Sequence, residues 1–232
     1  MKYPTLLFDI DDTLLDFRAN EAAALSRIFP AHGIELTDEV RQTYNAINGA
    51  LWKKYEDGKA TLREILDSRF ADTASALGYE ADGAEWEREY RVLLGEGHEL
   101  IPGALELLST LKATGRRIYA VTNGLHSTQA KRLEESGLAP YFIRVFTSEE
   151  IGYQKPSPEF FRFVAEHIPD FSPSETLMIG DSISTDIRGG RAAGLATCLF
   201  SRGKMTGSGA DYEIFELSQL LTVLGLKVQD KN

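Results

Sequence analysis

Short apolar runs of strand length recur along this chain, and they constrain its fold more than any other feature. The later runs are separated by amphipathic stretches with helical periodicity, such as GALELLSTLKATG and PEFFRFVAEHI. Strands that alternate with helices predict a parallel sheet covered on both faces. We therefore expect an α/β protein with a Rossmann-like parallel sheet core. The predicted strands are TLLFD, RRIYAVTN, FIRVFTS, TLMIGD and LATCLF.

The segment between the first two predicted strands does not follow this alternation of strands and helices. Residues 17–98 contain four helical patterns and no credible strand. Because helices must bury their apolar stripes, about eighty all-helical residues predict a separate bundle inserted into the α/β domain. We expect a core formed by residues 1–16 and 99–232, with an all-helical domain at residues 17–98.

Charge and composition limit the partners that this chain can have. The formal net charge of -10 argues against a nucleic acid polymer, which binds basic surfaces. The single Cys198 lies in an apolar run, which predicts a buried thiol and a reducing compartment. No run approaches the ~18 apolar residues of a membrane span, and the first one is too short for a signal peptide. We expect a cytoplasmic monomer or homodimer that does not bind membranes.

Acidic residues cluster where predicted strands end. Asp9, Asp11 and Asp12 follow the first strand, and Asp181 and Asp186 follow the TLMIG strand. Ligands of open parallel sheets bind beyond the carboxyl ends of the strands, so these acids should meet at one site. On its own, the DIDDT segment would more often be a turn or a helix cap. Its combination with the second acidic group indicates a functional site.

Two other sites that these segments suggest fit poorly. A calcium-binding loop beginning at Asp9 would need glycine at Leu14 and glutamate at Asn20. A serine hydrolase with Ser182 as nucleophile would need glycine at Ser184 and a histidine later in the chain, and no histidine follows Ser182. Both readings are therefore disfavoured.

Phosphoryl transfer to an aspartate accounts for the whole set of residues. The Asp9 carboxylate is ionised at neutral pH in its ordinary range and can attack phosphorus without a base. Its approach to a phosphate dianion at ~4 Å costs roughly 8 kcal/mol at an effective dielectric of about 20. Mg²⁺ and a lysine are therefore expected to offset the repulsion. Asp11 would protonate the leaving oxygen and then deprotonate the attacking water.

The order of DIDDT, VTNG, QKPSPEFF and GDSISTD resembles the four motifs of the haloacid dehalogenase superfamily. The helical insertion lies in the position of that superfamily's cap. The resemblance implies that Asp9 is the nucleophile and that Asp11 is the acid/base group. It also implies an Mg²⁺ site formed by Asp9, the Asp11 carbonyl and Asp181, with Asp186 either a ligand or a partner behind the ligands.

The same resemblance implies that Thr122, Asn123 and Lys155 bind the substrate phosphate together with the two catalytic aspartates. One position departs from the family pattern, because Asp12 stands where glycine is frequent. The dehalogenases of the superfamily lack the second aspartate. The presence of Asp11 therefore favours a phosphatase over a dehalogenase or a mutase.

Three longer segments are similar to bacterial pyrimidine 5′-nucleotidases, namely VTNGLHSTQAKRLEESGLAPYF, SEEIGYQKP and INGALWKKYEDGKAT. This similarity implies nucleoside 5′-monophosphates as substrates, with Tyr44, Trp52 or Tyr55 stacking on the base. The alternative for Trp52 is packing between helices. Alternative substrates are other small phosphorylated metabolites, such as phosphoglycolate or a sugar phosphate. A phosphate-binding regulator without activity is the alternative outside enzymes.

Overall fold

The structure is a computed structural model that describes residues 1–203 and 207–226. The chain divides into two compact units. The first contains residues 1–17 and the described residues from 98 onward, and the second is Arg18–Gly97. These bounds lie one residue from the boundaries expected for the inserted helical domain.

A six-stranded parallel sheet forms the centre of the first unit, in the order β3-β2-β1-β4-β5-β6. The strands are β1 (Thr5–Phe8), β2 (Arg117–Thr122), β3 (Arg144–Thr147), β4 (Thr176–Gly180), β5 (Ala196–Phe200) and β6 (Tyr212–Ile214). The five predicted strands and the parallel α/β fold are thus confirmed. The sequence does not predict β6, because its three residues are shorter than the apolar runs by which strands are recognised.

The central strands are buried on both faces. Alternate residues of a strand point to opposite sides, so Leu6 and Phe8 pack with Leu177 in one apolar cluster. Leu7 and Met178 pack in a second cluster on the other side. Because each face is covered, β1 and β4 have continuous apolar sequences rather than alternating ones.

Helices connect the strands and form the second unit. They are α1 (Phe17–Ala31), α2 (Asp38–Glu56), α3 (Leu62–Ala76), α4 (Gly83–Glu96), α5 (Ala104–Ala113), α6 (His126–Glu135), α7 (Ser148–Ile151), α8 (Pro158–Glu166), α9 (Arg188–Ala192) and α10 (Gln219–Val223). The Ser157 hydroxyl caps α8 by accepting a hydrogen bond from the Phe160 backbone N–H at 3.2 Å. Within residues 1–203 and 207–226, no helix combines the length and apolar character that crossing a membrane requires.

Aromatic side chains fill the interior of the helical unit. Phe29, Tyr44, Phe70, Trp86 and Tyr90 are all buried, and neighbouring rings have centroids 5.2 to 6.2 Å apart. These separations are within the range of favourable aromatic contacts. The four helical patterns read from the sequence therefore bury their stripes on one another.

A buried ion pair lies beside this aromatic core. The Arg69 side chain is 5% exposed and the Glu87 side chain 1%, and Arg69 Nε donates to Glu87 Oε2 at 2.7 Å. Arg91 Nε donates to the other Glu87 oxygen at 2.7 Å. Because a buried carboxylate is costly without partners, both arginines stabilise Glu87 in this position.

The sheet topology marks the expected ligand position. β1 has β2 on one side and β4 on the other, so the strand order reverses at β1. Ligands of such sheets bind at this reversal, beyond the carboxyl ends of the strands. The residues that follow β1, β2 and β4 are therefore the first candidates for a functional site.

Candidate active site

Three carboxylates come together at the ends of β1 and β4. Asp9 follows β1, and its backbone N–H donates to Ile179 in β4 at 2.8 Å. Asp181 follows β4, and Asp186 lies in the π-helical turn Ile183–Ile187. One oxygen from each of Asp9, Asp181 and Asp186 lies within 4.8 Å of the other two. The convergence expected from the two acidic segments is present.

Gly180 allows one of these carboxylates to approach the strand end. A Cβ atom at Gly180 would lie 2.1 Å from Asp186 Oδ2, so no larger residue fits without displacement. The same Asp186 oxygen accepts a hydrogen bond from the Ser182 backbone N–H at 3.1 Å. The Ser182 backbone N–H therefore holds the Asp186 carboxylate close to the end of β4.

Lys155 supplies a buried positive charge to the acidic cluster. Its side chain is 2% exposed, and Nζ donates to Asp9 Oδ1 at 2.8 Å, to Asp186 Oδ1 at 2.7 Å and to the Val121 carbonyl at 2.9 Å. Burial lowers the pKa of Lys155, but the carboxylates of Asp186 and Asp9 outweigh burial and raise it above the ordinary value. Lys155 is thus a cation throughout the neutral range.

Asn123 braces the backbone of Lys155. The Lys155 N–H donates to Asn123 Oδ1 at 2.8 Å, and Asn123 Nδ2 donates to the Lys155 carbonyl at 3.0 Å. These two bonds engage the Asn123 amide on both sides. The sequence predicts Asn123 as a phosphate contact, and in the structure its side-chain amide positions the backbone of Lys155.

The pKa values of the acidic cluster indicate a site for a cation. Burial, with the charges of Asp186 and Asp11, raises the pKa of Asp9 to about 7, although Lys155 opposes the shift. Burial, with the charges of Asp9 and Asp186, raises the pKa of Asp181 to about 8. Clustered oxygen donors of this kind suit a hard divalent cation such as Mg²⁺. The residues present therefore fit the metal that the sequence predicts.

Thr13 orients the carboxylate of Asp9. Its hydroxyl donates to Asp9 Oδ2 at 2.9 Å, while Lys155 binds Oδ1. Thr13 is fully buried one turn after Asp9. Each oxygen of the candidate nucleophile thus has a defined donor, which fixes the direction in which Asp9 faces.

Asp11 and Thr122 are joined by a hydrogen-bonded network from α6. Gln129 Nε2 donates to Asp11 Oδ2 at 2.6 Å and to Thr122 Oγ1 at 3.0 Å. Arg132 Nη1 donates to Asp11 Oδ1 at 2.5 Å and to Gln129 Oε1 at 3.0 Å. The candidate acid/base group and the candidate phosphate-binding hydroxyl therefore share one donor.

The backbone at Asp12 explains the departure from the family pattern. Asp12 has φ 58°, in the left-handed region that favours glycine. Aspartate enters this region more readily than most residues, so the turn survives the substitution. Arg202 Nη2 donates to Asp12 Oδ1 at 3.1 Å, which balances the additional charge.

The three aromatic residues proposed to contact a base differ in their exposure within the helical unit. Tyr44 is fully buried, and its hydroxyl donates to Glu21 Oε1 at 3.4 Å. Tyr55 is 5% exposed, whereas Trp52 is half-buried, with its ring centroid 5.8 Å from that of Tyr55. Tyr44 and Tyr55 are thus core residues in this structure. Among the three, Trp52 keeps the most surface for a ligand.

The sequence alone does not identify Thr13, Gln129 and Arg132 as site residues. Their local sequence does not indicate a functional role, since a threonine in a turn and two polar residues three apart on a helix are usually solvated. Burial distinguishes them, because Gln129 and Arg132 are each 1% exposed. Their position on the first helix after the VTNG strand end was the available clue.

The chain is similar in sequence and fold to known hydrolases. A family model for haloacid dehalogenase-like hydrolases matches residues 3–194. HAD-hydrolase YfnB of Bacillus subtilis is 46% identical to this chain over 97% of both proteins. A crystal structure of YfnB bound to magnesium has a TM-score of 0.94 and 47% identity, and covers 97% of this chain and 100% of that one.

Two further relatives have names that state a substrate class. Pyrimidine 5′-nucleotidase PynA of Streptococcus pneumoniae is 37% identical over 100% of this chain and 99% of its own length. Pyrimidine 5′-nucleotidase YjjG of Escherichia coli is 34% identical over 85% of this chain and 86% of its own length. In each case the similarity extends over both units, not only over the sheet.

Proposed function

The chain belongs to the haloacid dehalogenase-like hydrolase family, and we propose that it is a Mg²⁺-dependent phosphomonoesterase that acts on nucleoside 5′-monophosphates through an aspartyl-phosphate. One observation carries the proposal. Asp9 lies against Lys155 and within 4.8 Å of two further carboxylates, and Asp11 follows two residues later. This set contains a nucleophile, a fixed cation, a metal site and an acid/base group.

The first half-reaction transfers the phosphoryl group to Asp9. An oxygen of Asp9, oriented by Thr13 and Lys155, attacks phosphorus as the bond from phosphorus to the ester oxygen breaks. The leaving oxygen takes a proton from Asp11. Lys155 and the Thr122 hydroxyl stabilise the charge on the transferred group.

The second half-reaction releases phosphate. A water molecule attacks the phosphorus of the aspartyl-phosphate while the Asp11 carboxylate accepts its proton, and the bond to Asp9 breaks. Asp9 and Asp181 would hold Mg²⁺ with the Asp11 carbonyl, and the ion would supply charge neutralisation between nucleophile and phosphate. Asp186 would act behind the ligands, because it is more deeply buried than Asp9, at 1% exposed, and is paired with Lys155.

The substrate class rests on relatives and on one side chain. Two relatives that match 85% or more of this chain are named pyrimidine 5′-nucleotidases. The half-buried Trp52 offers an aromatic surface, and stacking on a base contributes ~1–3 kcal/mol. A small phosphorylated metabolite is accordingly the expected partner, rather than a polymer.

The proposal is tested with a panel of phosphate esters. We expect turnover of p-nitrophenyl phosphate and of UMP, dUMP and dTMP with Mg²⁺, and loss of turnover with EDTA. Asp9→Asn should abolish activity, because it removes the nucleophile. Asp72→Asn, at an exposed aspartate of α3, is the matched control and should retain activity.

Each outcome of the panel separates one alternative. Full activity in EDTA or in Asp9→Asn would refute the mechanism. Much higher kcat/KM for phosphoglycolate or sugar phosphates than for nucleotides would show that those metabolites, and not nucleotides, are the substrates. Thermal stabilisation by inorganic phosphate, with no ester turned over, would indicate a phosphate-binding regulator.

A further inference from the structure

Two polar side chains of α6 are buried directly behind the candidate active site. Gln129 and Arg132 lie three residues apart, so they share one face of the helix. Arg132 is 1% exposed and is the largest fully buried side chain among the described residues. A guanidinium is buried at considerable cost, which good partners must offset. Arg132 is paired with Asp11, so its burial depends on a contact with the proposed acid/base group.

The hydrogen bonds at Thr122 have a defined direction. A threonine hydroxyl has two acceptor positions and one proton to donate. Thr122 Oγ1 accepts from the Gly124 backbone N–H at 3.0 Å and from Gln129 Nε2 at 3.0 Å. With both acceptor positions used, the hydroxyl can only donate its proton. A phosphoryl oxygen, which is an acceptor, is the complementary ligand.

Gly124 makes the approach of Gln129 possible. A Cβ atom at this position would lie 2.5 Å from Gln129 Nε2, closer than real contacts allow. The glycine of the VTNG segment therefore leaves room for the Gln129 side chain of α6. The glycine at this position is thus consistent with the hydrogen bonds that Gln129 makes to Asp11 and Thr122.

We propose that Gln129 and Arg132 are positioning residues of the phosphatase reaction, an inference that rests on the proposed function. Arg132 holds Asp11 Oδ1, and Gln129 holds Asp11 Oδ2 while directing the Thr122 proton toward the phosphoryl group. One face of α6 thereby sets the distance between the group that protonates the leaving oxygen and the hydroxyl that binds phosphate.

The two half-reactions give this role a distinctive kinetic signature. In the first, Asp11 gives its proton to the leaving oxygen as the ester bond breaks. A nucleoside alkoxide needs that proton, whereas p-nitrophenolate leaves as a stable anion. In the second, Asp11 takes a proton from water as the bond between phosphorus and Asp9 breaks. A misplaced Asp11 should therefore slow the first step only for nucleotides and the second step for every substrate.

The experiment compares Arg132→Met and Gln129→Met with the wild type, using UMP and p-nitrophenyl phosphate with Mg²⁺. For each variant we expect kcat/KM for UMP to fall about 10- to 100-fold and that for p-nitrophenyl phosphate by less than about threefold. Rapid mixing should show a burst of p-nitrophenol stoichiometric with enzyme, since the intermediate is hydrolysed slowly. Arg132→Lys, which keeps the charge, should recover part of the loss.

Arg116→Met is the matched control. Arg116 is also a buried arginine, 6% exposed, but it precedes β2 and donates to Thr114 Oγ1 at 2.7 Å, at the other end of the strand from Thr122. This variant should lower stability without changing the ratio of the two kcat/KM values. If Arg132→Met does not fold, Gln129→Met alone decides the question.

The possible failures are distinguishable. Equal loss on both substrates without a burst would assign Gln129 and Arg132 a merely structural role and overturn the inference. Additive effects of Asp11→Asn and Arg132→Met on UMP turnover would also overturn it, because residues that act as one unit are not additive. A wild-type protein without phosphatase activity would instead refute the proposed function.

Discussion

Removing divalent cations should make the stability of this protein depend on pH in an unusual direction. Asp9 has a pKa of about 7 in the folded chain, against 3.8 for an exposed aspartate, and Asp181 has one of about 8. The folded state therefore binds more protons than the unfolded state between about pH 4 and pH 8. Linkage then requires the free energy of unfolding to fall as pH rises through this interval.

The size of the effect follows from the two pKa values. From pH 5 to pH 8, Asp9 alone would lower the free energy of unfolding by about 3 kcal/mol and Asp181 alone by about 4 kcal/mol. The two carboxylates repel each other, so protonation of one lowers the pKa of the other. We therefore expect a total nearer to about 3 kcal/mol than to the sum.

Urea unfolding followed by circular dichroism measures this dependence. The protein is unfolded in EDTA at pH 5, 6, 7 and 8, and again with saturating Mg²⁺. The cation binds the ionised carboxylates, so Mg²⁺ should stabilise most at pH 8 and flatten the dependence. The double substitution Asp9→Asn, Asp181→Asn should flatten it without metal, because neither amide titrates. Stability in EDTA that is constant or rises from pH 5 to pH 8 would refute the reasoning.

Two further substitutions test how the interiors of the units are built. Arg69→Met leaves the buried Glu87 carboxylate with fewer partners and should lower the free energy of unfolding by about 3–5 kcal/mol in urea titrations. Arg63→Met, at a side chain that is 90% exposed, is the control and should lower it by less than about 1 kcal/mol. Gly180→Ala should displace Asp186 and weaken Mg²⁺ binding about 10- to 100-fold by calorimetric titration. Gly49→Ala, with open space around it, is its control, and unchanged Mg²⁺ affinity in Gly180→Ala would contradict the packing argument.

The sheet was predictable because its central strands are buried on both faces. β1 and β4 read as continuous apolar runs, which identify parallel strands without any knowledge of their neighbours. The three-residue strand Tyr212–Ile214 has no such run and pairs with β5 at the edge of the sheet. Its position depends on the completed sheet rather than on its own sequence.

The site was predictable where it follows strand ends and unpredictable where it depends on helix faces. Asp9, Thr122 and Asp181 come directly at or after strand ends, so topology alone brings them together. Gln129 and Arg132 are found only when the packing of α6 is known, because a polar pair at this spacing is compatible with a solvated face. Tyr44 shows the converse, since an aromatic residue expected to meet a ligand is instead fully buried in the helical unit.

The balance of charge around β1 explains why an apolar strand leads into a group of acids. Arg132 is paired with Asp11, and Arg202 with Asp12, so these acids are matched by individual cations. Lys155 forms ion pairs with both Asp9 and Asp186, while an oxygen of Asp181 lies within 4.8 Å of oxygens of both acids. When ionised, these three carboxylates exceed the single ammonium by two negative charges. A divalent cation supplies that difference. Until it binds, burial together with repulsion raises the pKa values of Asp9 and Asp181.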